Sequence, residues 1–193
     1  MNLQQQLQNK KILLASGSPR RQQLLGGLDI DFEIVKQDVD ESWPPELKGG
    51  DIAEFLALKK SNAFDKLGEN EILITADTIV WHQDTIMNKP VDTDDAKSML
   101  KKLSADEHKV FTGVCIRSLE KCVSFYDTTS VDFKKLLDEE IEYYITNYNP
   151  FDKAGSYGAQ DWLGYVAIEK LEGCYYNVMG FPMRKIYSTL LTF

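Results

Sequence analysis

Residues 16–21 read Ser16-Gly17-Ser18-Pro19-Arg20-Arg21 and directly follow an apolar run at 11–15. A small-residue turn between a strand and a helix start gathers backbone N–H groups and the positive end of a helix dipole, an arrangement that binds anions. Two adjacent guanidiniums, each able to grip a phosphate with paired hydrogen bonds, add to it. Pro19 suits the first helical turn, where its missing N–H is not needed. The chemistry indicated is phosphate binding. The plainer reading is a well-started helix with two solvated arginines.

Carboxylates supply a second kind of chemistry. Asp38, Asp40 and Glu41 cluster in one loop, and hard divalent cations such as Mg2+ and Mn2+ take such oxygen ligands. A solvated acidic turn is the alternative. Asp77 is embedded in the apolar, β-branched run 71–81, where an acid is costly unless something pairs with it or binds to it. It is the foremost catalytic candidate, against an Asp satisfied by backbone or by a buried lysine. Lys59, Lys60 and Lys89 are point charges suited to phosphate oxygens, although most lysines only solubilise. The stretch from His108 to Thr112 and Gly113 opens a strand with a hydroxyl and a glycine, or is only a turn and an edge. Asp152-Lys153-Ala154-Gly155-Ser156-Tyr157-Gly158-Ala159-Gln160 forms a loop suited to hold phosphate and to read a base edge through the Gln160 amide. The turn from Tyr175 to Pro182 reads as a structural lead into the last helix, with a place in the pocket lining as the alternative.

The elements that must position these groups alternate along the chain. Strand-like runs fall at 11–16, 30–35, 71–81, 108–118 and 121–133, with helix-like runs between several of them, an α/β pattern. A helix is expected from 22 to 28, and another from an Asp51 cap, with Glu54 three residues on, through Leu67. Others run from a Thr93 cap to Leu103, over 138–147 up to Asn149-Pro150, and from Pro182 with Ile186, Leu190 and Leu191 turned inward. The runs 108–118 and 121–133 alternate like an antiparallel hairpin, so the sheet is expected to be mixed.

Bulk properties narrow the function classes. The chain has 193 residues, 43% hydrophobic and 27% charged, which fits one compact unit with a sizeable core. No linker, repeat or low-complexity tract marks a domain boundary, and residues 1–9 read as a polar N-terminal extension. A net charge of −8 argues against a nucleic-acid groove, which normally carries a basic stripe. No run resembles a membrane span or a signal segment. Cys115, Cys122 and Cys174 suggest neither a disulfide framework nor a zinc site, and buried thiols in a reducing cytoplasm are expected. His82 and His108 stand alone, which weakens zinc-hydrolase and Ser-His-Asp readings.

Ser16 through Arg21, Asp40-Glu41, Ala76-Asp77-Thr78, Asn88-Lys89-Pro90, His108 through Gly113, Lys153 through Gln160 and Tyr176 through Pro182 occur in the order seen in the Maf family of nucleoside triphosphate pyrophosphatases. The chain resembles that family over residues 10–192. The resemblance implies a fold similar to the inosine triphosphate pyrophosphatases: an elongated mixed sheet flanked by helices, two lobes and a cleft between them. It implies hydrolysis of a nucleoside triphosphate to monophosphate and pyrophosphate with a divalent cation, Mg2+ or Mn2+. Thr78 and Gln160 place the likeness with the branch that favours dTTP and UTP, modified pyrimidine nucleotides included.

By position, the resemblance gives Asp77 the role of general base and makes Glu41 its carboxylate partner at the metal. Arg20, Thr78 and Gln160 match substrate-discriminating positions. Ser16, Arg21, Lys60, Lys89 and Lys153 match the polar and cationic groups around the phosphates, with Lys59 adjoining Lys60. Phe181 replaces a leucine, and Asp161-Trp162 stands where small residues are common, a departure that would narrow the base pocket. The implied ligand is a nucleotide, with no nucleic acid or membrane partner, and a homodimer remains open. The other function class left by the resemblance is a non-catalytic nucleotide-binding regulator of septum formation.

Overall fold

The computed structural model describes residues 3–36 and 38–193. In chain order the elements are α1 (Leu3–Gln6), β1 (Lys11–Leu14), α2 (Pro19–Gly26), β2 (Phe32–Ile34), α3 (Gly50–Asn62), β3 (Glu71–His82), β4 (Thr85–Met87) and α4 (Thr93–Leu103). Then follow β5 (Glu107–Arg117), β6 (Cys122–Phe133), α5 (Asp138–Tyr148), α6 (Trp162–Ala167), β7 (Ile168–Glu172), α7 (Tyr175–Val178) and α8 (Met183–Leu190). The sheet is mixed, ordered β2-β1-β3-β5-β6-β7 with β4 paired to β3, and helices flank it. The chain divides into two compact units, one of Met1–Asp77, Thr112–Asp127 and Gly180–Phe193, the other of Thr78–Phe111 and Thr128–Met179.

In the first unit β1 runs parallel to β2 and to β3, with Ile12 opposite Phe32 and Ile72. Alternation along a strand sends Ile72, Ile74 and Ala76 to one face and Leu73, Thr75 and Asp77 to the other. The first face joins Leu14, Leu25, Phe181, Ile186 and Leu190 in a core. The Thr75 hydroxyl, on the second face, donates to the Ala57 carbonyl of α3 at 2.7 Å. Gly113 of β5 completes the seat for α3, because a Cβ there would lie 2.1 Å from the Ala53 carbonyl oxygen. Leu3 and Leu7 are buried in the same core, so the expected polar extension is anchored by its apolar residues; residues 1–2 lie outside the described part.

In the second unit β3 turns into β4 through Gln83 and Asp84, both at positive φ (47° and 58°), and β6 pairs antiparallel with β7 across an irregularity at Asp132 and Phe133. Its core gathers Val80, Leu100, Leu103, Val131, Tyr144 and Leu163. His108 is buried there, bonded to the Tyr157 hydroxyl at 2.7 Å and edge-on to Phe133. Burial pushes its pKa down to about 3.

Several local expectations are corrected. Gly49, at φ 51°, occupies the cap of α3, so Asp51 lies inside the first turn and the helix stops at Asn62. Asp92 rather than Thr93 caps α4, accepting from the Asp95 N–H. The first long helix begins at Pro19 and ends at Gly26. The stretch from His108 to Gly113 does open a strand, and only its alternative as a turn and an edge falls away. Of the thiols only Cys115 is buried, whereas Cys122 is exposed 3.6 Å from it across the β5–β6 hairpin and Cys174 is partly exposed. Burial pushes the Cys115 thiol up to about 12. Among the described residues no helix is long and apolar enough to cross a membrane.

Candidate active site

Strand alternation explains the centre of the first unit's polar cluster. Asp77 shares the α3-facing side of β3 with Thr75, and Lys60 lies three residues beyond Ala57 on the same side of α3. Their side chains meet: Lys60 Nζ is 2.5 Å from Asp77 Oδ1 and 2.6 Å from Glu41 Oε1. Asp77 is only 9% exposed, so the ammonium offsets a carboxylate that burial would otherwise penalise. The neighbouring Lys59 is held instead by Asp40 at 3.1 Å and by the Ser42 carbonyl at 2.9 Å. The two lysines therefore tie the acidic loop to α3 by separate hydrogen bonds.

The turn after β1 is held against the same strand. Arg21 donates from Nη1 to the Ala76 carbonyl at 2.8 Å and from Nε to the Gly180 carbonyl at 2.9 Å. Nη1 also lies 3.4 Å from Ser16 Oγ, which accepts from the Ser18 N–H. Burial lowers the Arg21 pKa from its ordinary value, Asp77 opposing and Arg20 adding to the shift. Ser18 starts α2 without a side-chain cap bond. The first-turn N–H groups thus lack the usual N-cap acceptor from that residue.

The second unit carries Thr78, Lys89, Lys153 and Gln160. Thr78 follows Asp77 directly in β3. Gly155 donates its N–H to the Asn88 carbonyl at 3.1 Å, which ties the loop of Lys153 to the turn of Lys89. Gly155 has φ 69°, and a Cβ there would stand 3.0 Å from Val80, so both conformation and space call for glycine. Lys153 Nζ pairs with Asp152 at 2.7 Å and lies 3.6 Å from Asp161 Oδ2. Gln160 Nε2 donates to Asp161 Oδ1 at 3.2 Å.

Family comparison bears directly on the chemistry of these groups. Residues 11–193 match the family model described as Maf-like protein. The chain belongs to the Maf family. This Maf chain is 52% identical over 191 residues to a protein of Flavobacterium johnsoniae named dTTP/UTP pyrophosphatase, covering 98% of each. A protein of Parabacteroides distasonis with the same name is 49% identical over 189 residues, covering 97% of this chain and 98% of that one. Among solved structures, the Staphylococcus aureus Ham1 protein aligns with 64% of this chain and 72% of its own, at a TM-score of 0.48 and 16% identity.

The Maf chain also holds site contacts that residue types alone did not single out. The Gly180 carbonyl anchors Arg21, and Tyr144, fully buried on α5, donates its hydroxyl to Asp161 Oδ2 at 2.9 Å. The sequence signal for the second was Asp161-Trp162, a departure from the family pattern directly after Gln160. Asn177 of α7 is buried and donates to the Val110 carbonyl and to Thr129 Oγ1. The turn before Pro182 is thus fixed by a side chain as well as by its backbone.

Proposed function

We propose that this chain hydrolyses dTTP and UTP to the nucleoside monophosphate and pyrophosphate. The observation that carries the reading is the convergence of the Glu41 and Asp77 carboxylates on one cationic point, Lys60 Nζ, at 2.6 and 2.5 Å. The names of the curated relatives, similar over nearly the full chain, support the substrate class.

With Lys60 Nζ displaced, the same two carboxylate oxygens also fit Mg2+ or Mn2+, which bind through one or two carboxylates and complete their shell with water and substrate phosphates. Glu41 and Asp77, which share Lys60, are the pair that would hold the ion. When bound, the ion would offset phosphate charge and lower the pKa of a water.

The chain's own residues supply the rest. Asp77 accepts a proton from the water that attacks the α-phosphorus. The P–O bond to the bridging oxygen breaks, and pyrophosphate leaves in line with the attack. Arg20, together with the Ser16 turn and the start of α2, offsets charge on the phosphates, while Arg21, bonded to two backbone carbonyls, fixes that turn beside Asp77. Lys89 and Lys153 balance the leaving pyrophosphate. Thr78 and Gln160 contact the nucleoside.

Incubation with UTP or dTTP and Mg2+ or Mn2+ in 18O water tests this. UMP or dTMP carrying the label, with unlabelled pyrophosphate, is the expected result. Release of orthophosphate and a nucleoside diphosphate, or no turnover of either nucleotide, overturns it.

A further inference from the structure

Gln160 ends the loop that the proposed function assigns to the base, and an amide reads a base only as well as its orientation is fixed. Its oxygen accepts, its nitrogen donates, and a half-turn about the terminal bond exchanges the two. Here the neighbour decides the orientation. Gln160 faces Asp161 Oδ1 at 3.2 Å, and an ionised carboxylate can only accept, so the amide nitrogen must be the atom on that side. Oε1 is then the atom turned away from Asp161.

Asp161 is itself held from below. The buried Tyr144 hydroxyl, which donates to Oδ2, accepts from the Gly158 N–H at 3.1 Å. Burial raises the Tyr144 pKa, which keeps the phenol protonated and therefore a donor to the carboxylate. Lys153 Nζ, 3.6 Å from Oδ2, sets a cation beside the same oxygen. Gly158 leaves room for the pair: a Cβ there would stand 2.6 Å from Asp161 Oδ2 and 2.7 Å from Gln160 Nε2. The network is built around the Gln160–Asp161 contact.

We infer that Asp161 is a positioning residue for base selection, locking the Gln160 amide so that an acceptor is presented to the pyrimidine ring. Uracil and thymine offer a donor at N3–H, which an amide oxygen satisfies. Cytosine offers a lone pair at N3, which the same oxygen repels. An amide free to turn over would accept both. The inference rests on the proposed hydrolysis of dTTP and UTP, and it adds the residue that sets the choice between uracil-type and cytosine bases.

The test is the ratio of kcat/KM for UTP to that for CTP, which does not depend on the fraction of active protein in a preparation. Asp161→Asn keeps the size of the side chain but can donate as well as accept, so Gln160 can take either orientation. The ratio is expected to fall on the order of tenfold or more, through a gain on CTP relative to UTP. In a Gln160→Ala background the same change should leave the ratio unmoved, because Asp161 acts through the amide. An unchanged ratio in Asp161→Asn overturns the inference, and so does an equal fall with and without Gln160. Absence of UTP and dTTP turnover by the unaltered protein would instead overturn the proposed function, so the two failures are told apart.

Discussion

Asp77 sits on the side of β3 that meets α3, and its carboxylate is balanced by Lys60 alongside Glu41. If it takes the proton from water, Asp77→Asn keeps the size and hydrogen-bonding reach but lacks the basic oxygen. Turnover of UTP should then drop by about 10²-fold or more, measured as pyrophosphate release at saturating nucleotide. Retained turnover would move the base to Glu41. Asp77 was legible in the sequence because an acid inside a β-branched run has few inexpensive explanations. The choice between Lys59 and Lys60 was not. Consecutive helical residues point about 100° apart, and the contacts of Thr75 with Ala57 and of Asp77 with Lys60 show which direction faces the strand. Asp161 was marked in the sequence only as a departure from the family pattern after Gln160, and its bond to the buried Tyr144 shows only in the fold.

His108 carries a prediction at the same scale. Its folded pKa is pushed down to about 3 from an ordinary 6.5 by burial. Between those values the unfolded chain binds a proton that the folded chain refuses, so stability falls as pH drops below about 6.5. By pH 5 the loss from this one group is about 2 kcal/mol. Urea unfolding at pH 7 and pH 5 should show it, and His108→Gln, which cannot titrate, should lose correspondingly less on acidification. An equal loss in both proteins would mean that His108 takes up a proton in the folded state.

At the scale of elements, α3 matters because it carries Lys60, and its position is set by contact with β5. The Ala53 carbonyl oxygen would be 2.1 Å and the Glu54 nitrogen 2.4 Å from a Cβ at Gly113, and both are backbone atoms that cannot rotate aside. Gly113→Ala must therefore push the helix, and overpacking of this kind costs about 1–3 kcal/mol. A lowered urea midpoint together with reduced UTP turnover is expected, because displacement of α3 also moves Lys60 from Asp77. Unchanged stability would mean that the helix is not seated there. The long elements were readable because sustained periodicity comes from burying one face over several turns or pleats. The short ones offered too little of it. β4 has three residues and is entered through Gln83-Asp84, which lacks the Asn-Gly or Asp-Gly signature of tight hairpins. β7 places its partly buried residues at Ile168 and Leu171, a spacing of three that reads as helical; the irregular pairing opposite Asp132 and Phe133 accompanies that broken alternation.

For the whole molecule, a net charge of −8 must be reconciled with a tetra-anionic ligand. Salt screens charges beyond about 8 Å at physiological ionic strength, so scattered surface carboxylates lose most of their effect, whereas arginine and lysine groups in contact with phosphate keep theirs. A ligand that binds the folded state alone raises its stability by about 2.7 kcal/mol at a hundred times its Kd. For a chain of this size that corresponds to a Tm rise of about 5–10 °C. A non-hydrolysable UTP analogue bridged by nitrogen between the α- and β-phosphates, with Mg2+, should produce this rise, while a single-stranded oligonucleotide at the same phosphate concentration should not. With the analogue in the absence of Mg2+, Asp77→Asn should keep most of whatever rise the unaltered protein shows under the same conditions, because the substitution leaves the arginines, lysines and Gln160 in place and only the ion loses a carboxylate ligand. Retention of binding with loss of turnover would assign Asp77 to the chemical step. Loss of both would mean that it acts first in holding the substrate, and an equal response to the oligonucleotide would contradict the local character of the anion site.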